Sequence, residues 1–140
     1  MSESKKPEFS AEEKAAMKER AKELKTAATK AEAEADVLAK IADMPEPDRS
    51  IATRIHELVK EVAPELSAKT WYGSPAWNRD GKTVLFFQDR AKFKTRYSTL
   101  GFSEEASLDD GSMWPSSYAV LELGKKEEEM VTKLLKKALG

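Results

Sequence analysis

The chain has no cysteine, which excludes disulfides, thiolate zinc sites, cysteine-ligated iron–sulfur clusters and a cysteine nucleophile. Histidine is almost missing as well: His56 stands alone, so no histidine pair exists for a metal or a proton relay. No apolar run approaches the roughly 20 residues that a helical membrane span requires. Charge of one sign is also lacking. Lysine and arginine total 24 against 25 aspartates and glutamates, a formal net charge of −1. A dedicated nucleic-acid binder carries a clear basic excess instead. The opening MSESKKPEFSAEEK has neither an apolar core nor a small-residue cleavage pattern, so it does not read as a signal peptide. These absences lead us to expect a cytoplasmic protein with no nucleic-acid or membrane partner.

What is present is charge and alanine. The 140 residues are 35% charged and 40% hydrophobic, the size of one domain with an appended helix. Residues 1–9 are polar and read as frayed. Ser10 and Glu13 have capping-box spacing, and a helix rich in Ala, Glu and Lys is expected from Ala11 to Met44. Its apolar residues, Met17, Ala21, Leu24, Ala28, Ala31, Ala35 and Leu38, recur at gaps of four and three on one stripe. Mostly alanine, that stripe suits a thin helix–helix seam or a solvated helix. Val37, Leu38 and Ile41 are the part expected to dock. Residues 1–35 are therefore read as a charged helical arm and residues 36–140 as the folded domain, with a monomer expected.

A second helix runs from Asp48 to Val62, with Ile51, Ile55, Leu58, Val59 and Val62 on its apolar face. Ala63-Pro64 ends it. Short strands follow at Lys69–Tyr72, Ala76–Arg79 and Thr83–Gln88, with Asp80-Gly81 as a hairpin turn. Phe93–Leu100 alternates. Phe93, Thr95 and Tyr97 are expected to face the core, and Lys92, Lys94, Arg96 and Ser98 to form an outer strip. A last strand at Tyr118–Leu123 and a helix at Lys125–Leu139 complete the order. The expectation is an α+β fold: an antiparallel sheet of about five strands with helices on one face, plus the N-terminal arm.

Two surfaces are candidates for function. The stretch Trp71–Phe102 holds most of the aromatic residues, interleaved with basic ones. Trp71, Tyr72, Trp77, Lys92, Lys94, Arg96 and Trp114 could bind a flat or anionic ligand or an acidic partner segment, because rings stack and arginine forks match carboxylates. The competing reading places the tryptophans in the core. The second surface is acidic. Glu57 and Glu61 are i,i+4 neighbours, with Glu46, Asp48 and Glu65 on or near the same helix, and Glu104, Glu105, Asp109 and Asp110 form another cluster. Iron takes such oxygen ligands, although a chain this acidic produces carboxylate pairs by chance. His56, beside the apolar stripe, reads as an ordinary boundary residue. No serine has a second histidine system to activate it, and Asp80-Gly81-Lys82-Thr83 lacks the upstream glycine of a phosphate loop. A non-enzyme is expected.

Pro47, Ile55 and Leu58 of the second helix, Trp71-Tyr72-Gly73-Ser74-Pro75-Ala76-Trp77, Phe86-Phe87, Phe93-Lys94 and Leu100-Gly101-Phe102 together resemble the bacterial YdhG-like domain family over about residues 36–138. The resemblance implies a helix-and-sheet sandwich. Because some members look like frataxin-type iron chaperones, it also implies a non-catalytic iron-chaperone role, with iron as the candidate metal. The alternative is a protein–protein or small-anion interaction module that uses the Trp/Lys/Arg face.

Overall fold

A computed structural model describes residues 10–140, without the side chain of Thr26. The frayed segment expected at residues 1–9 lies outside the described residues. Helix α1 spans Ala11–Ala42, and Ser10 caps it by accepting the Glu13 amide at 3.1 Å. Helix α2 spans Asp48–Val62. Glu46 caps it from outside: its carboxylate accepts the Ser50 amide at 3.0 Å and the Ser50 hydroxyl at 2.9 Å. Five strands follow: β1 (Ser67–Trp71), β2 (Ser74–Arg79), β3 (Lys82–Gln88), β4 (Ser98–Phe102) and β5 (Ser117–Val120). A four-residue turn of helix, α3 (Arg90–Phe93), sits between β3 and β4, and α4 (Lys125–Ala138) closes the chain.

The strands pair antiparallel in the order β1-β2-β3-β4-β5, a meander. Two-residue turns make the first two hairpins. Tyr72-Gly73 and Asp80-Gly81 all take positive φ, the conformation that matches strand twist in a tight hairpin. The first turn is thus Tyr72-Gly73, so Tyr72 is not the end of the first strand as expected, and Ser74 and Pro75 already belong to β2.

Register decides which residues face the helices. Ala68, Trp77, Leu85 and Phe102 stand side by side across β1–β4, with Phe87 opposite Leu100. They meet Val37 and Ile41 of α1, Ile55 and Val59 of α2, and Val131 and Leu135 of α4 in one core. The α+β class and the antiparallel sheet are as expected.

Two expectations need correction. Phe93–Leu100 is not one strand: Asp89 caps α3 by accepting the Lys92 amide at 3.1 Å, Lys94 turns left-handed at φ 54°, and pairing starts only at Ser98. Phe93 and Thr95 are exposed, so the alternation has no inner face to present. On α1, Val37 and Ile41 do dock, but Leu38 is exposed, as is the whole alanine stripe. The helix runs unbroken through residue 35, as expected of a helix from Ala11 to Met44. Its contact with the body begins nearer Ala33 and Glu34, which are half-buried.

Candidate functional site

The sheet face away from the core carries an aromatic cluster. Trp71 and Phe86 project from β1 and β3 to this side, and their ring centroids lie 5.1 Å apart. β2 contributes only Ser74 and Ala76 between them, both buried. Small residues there let the two large rings lie across the strand and meet. Phe86 also covers Gly101 of β4: a Cβ at that glycine would run into the ring. Tyr72 at the hairpin tip packs edge-on against Trp71 at 5.1 Å. Trp71 is 41% exposed and Tyr72 84%, so the cluster opens to solvent.

One cation reaches this face from α3. Lys92 Nζ donates to the Tyr72 carbonyl at 2.6 Å, clamping the hairpin turn, and lies 5.5 Å from the Phe93 ring. Gly73, at φ +77°, has no Cβ to obstruct Lys92 Nζ. Lys94 is exposed, and Arg96 is exposed with its guanidinium 5.4 Å from the Tyr97 ring. Of the residues read from the sequence, the structure therefore gathers Trp71, Tyr72 and Lys92, with Lys94 and Arg96 on the same segment. Phe86 completes the cluster. Its place in an all-apolar strand hid it, and only register shows which way it points.

Trp77 belongs to the core instead. It is fully buried, and its Nε1 donates to His56 Nδ1 at 3.1 Å. Trp114 lies in the 103–116 connection and makes no ring contact with the cluster among the described residues.

His56 is likewise not a boundary residue. It is only 6% exposed, on the inner side of α2. An indole N–H can only donate, so Nδ1 must accept and Nε2 carries the proton. Nε2 then donates to Glu34 Oε2 at 2.8 Å, and Lys60 Nζ donates to the same oxygen at 2.8 Å. Bonds from Lys60 first and His56 next hold the Glu34 carboxyl below the usual carboxylate range. This network joins α1, α2 and β2 beside a cleft of about 210 Å³ lined by Lys30, Glu34, His56, Lys60 and Ser67. Both ring nitrogens of His56 are engaged, so the imidazole fixes the arm to the body.

The acidic residues serve other partners. Arg54 draws Glu57 to 3.2 Å, Glu61 to 3.4 Å and Glu128 of α4 to 2.9 Å. The two helical carboxylates do meet, but around a guanidinium whose pKa they hold above its ordinary value, Glu128 most strongly and then Glu57. Asp48 is buried and bound to Arg90 through its amide at 2.7 Å and its Nε at 3.0 Å. Glu104, Asp109 and Asp110 are exposed and Glu105 is half-buried. Among the described residues, no group of three or more His, Asp or Glu side chains is placed to hold a metal ion. No helix among them is long and apolar enough to cross a membrane.

No protein-family model, curated protein or solved structure matches this chain.

Proposed function

We propose that this chain is a non-catalytic binding protein that receives an acidic, extended segment of a protein partner on the open face of its sheet. One observation carries the reading: Trp71 and Phe86 meet at 5.1 Å on the sheet face opposite the core, with Tyr72 exposed beside them and Lys92 at the hairpin turn. An exposed apolar patch with a polar, cationic edge, here Lys92, is the arrangement that interaction surfaces favour, and Lys94 and Arg96 follow Lys92 in the exposed segment beyond it. The rings supply area that binding would desolvate, and exposed Lys94 and Arg96 would steer carboxylates toward it.

The frataxin-like iron-chaperone role rests on the family resemblance, and the same experiment addresses it. Amide chemical shifts are followed while acidic peptides containing one aromatic residue are added, and separately while ferrous iron is added without oxygen. The peptide is expected to move Trp71, Phe86 and Lys94. Trp71→Ala, and the double change Lys94→Ala with Arg96→Ala, should each abolish that response. The double change should leave the melting temperature nearly unchanged, since exposed charges contribute under about 1 kcal/mol. Shifts confined to Glu104–Asp110 on adding iron, with no response to peptide, would replace this reading with the metal one.

A further inference from the structure

Helix α1 has two faces, and the chain occupies one of them. Glu34, Val37 and Ile41 turn to the body. The stripe from Met17 to Leu38 points elsewhere, and all seven of its residues are exposed. Its gaps of four and three, sustained over three heptads, are the spacing of a two-helix seam.

We propose that the chain self-associates as an antiparallel dimer along this stripe, with a second copy of α1 as the occupant. Charge supports that direction. The positions flanking the stripe are basic in the N-terminal half, at Lys18, Arg20 and Lys25, and acidic in the C-terminal half, at Glu32 and at Glu34, the latter held to the body by Lys60 and His56. Antiparallel pairing sets the basic half of each stripe toward the acidic half of the other copy, with Lys18 facing Glu32. Only Lys25, near the two-fold axis, meets its own like. Parallel pairing would instead set Arg20 against Lys25 on both sides.

Side-chain size favours the same direction. Antiparallel layers put Met17 opposite Ala35, Ala21 opposite Ala31 and Leu24 opposite Ala28 of the second copy. Each large residue meets a small one, and the helices can approach closely along the whole seam. Parallel layers would stack Met17 on Met17 and Leu24 on Leu24, with thin alanine layers between. Every described side chain from Ala11 to Glu32 is exposed, so the N-terminal half of each arm is free to lie along the docked half of the other. This surface is separate from the aromatic sheet face, and neither proposal depends on the other.

The full chain is measured by sedimentation, and a concentration-dependent dimer is expected. Lys18→Glu and Glu32→Lys should each weaken self-association by roughly tenfold. An equimolar mixture of the two variants should restore it, because the two changes complement each other only across an antiparallel seam. Native cysteine is absent, so crosslinking reads the register directly. Ala21→Cys and Ala31→Cys chains should form a disulfide when mixed, whereas Ala21→Cys alone should not. A monomer at millimolar concentration overturns the proposal. So does self-crosslinking of Ala21→Cys, or a mixture of charge variants that associates no better than either one alone. Because the altered residues are exposed, the melting temperature of the dilute body serves as the folding control.

Discussion

Two tryptophans six residues apart take opposite roles, and the pleat is the reason. Trp71 and Trp77 share a hairpin, but register places Trp77 beside Ala68 and Leu85 on the core face, while Trp71 turns outward to Phe86. Trp77 then needs a partner for its buried N–H, and His56 supplies it. The lone histidine becomes a hub because three elements deliver Trp77, Glu34 and Lys60 to one place. Glu34 gives the hub a pH signature. Its folded pKa is lowered, so the stability it contributes is complete above the ordinary glutamate range and is lost as pH falls through the lower folded value. Glu34→Gln should therefore be less stable than the native chain at neutral pH, and the gap should close in acid. Urea melts across pH 2–7 measure it, and a gap independent of pH would show that the carboxylate charge contributes nothing.

Among the elements, α1 differs most from what its composition suggests. The alanine stripe contributes nothing to the body, whose anchor is the last third of the helix, from Ala33 and Glu34 onward. Truncation can locate that anchor. Deleting residues 1–29 removes only exposed side chains among those described and keeps Glu34, so the melting temperature at low protein concentration should change by only about 2 °C. Deleting residues 1–34 also removes Glu34, which leaves Nε2 of His56 buried without an acceptor. A further loss of roughly 5 °C is expected. Equal melting temperatures for the two truncated chains would place the anchor later, at Val37 and Ile41. The element between β3 and β4 shows the opposite effect, in which a distant contact overrides a local pattern. Arg90 is held by buried Asp48, and Asp89 caps the turn that follows, so a segment with strand-like alternation coils instead.

At the scale of the whole molecule, the Asp48–Arg90 pair ties the layers together. Asp48 begins α2, Arg90 begins α3, and the Arg90 guanidinium also donates to the carbonyls of Val120 and Leu121 at the end of β5. Asp48 is 2% exposed, so removing it leaves a guanidinium with no charge partner in a mostly buried site. Asp48→Ala is expected to cost about 3 kcal/mol or more. Denaturant unfolding tests this, and a loss under about 1 kcal/mol would make the clamp peripheral.

The helices α1, α2 and α4, the Asp80-Gly81 hairpin and the α+β class were legible in the sequence. Helical periodicity, capping residues and turn residues act over a few neighbours, and that information is local. Ile51, Ile55, Leu58 and Val59 could be read as a buried face for this reason. Only the tertiary structure decided which tryptophan faces solvent, that Phe86 completes the open cluster, that Arg54 holds the helical carboxylates, and that His56 is buried. Each depends on strand register or on partners distant in sequence: 21 residues separate Trp77 from His56, and 42 separate Arg90 from Asp48. Alternation shows that a segment can present two faces. Whether it extends, and which face turns inward, is settled by the groups that the rest of the fold brings against it.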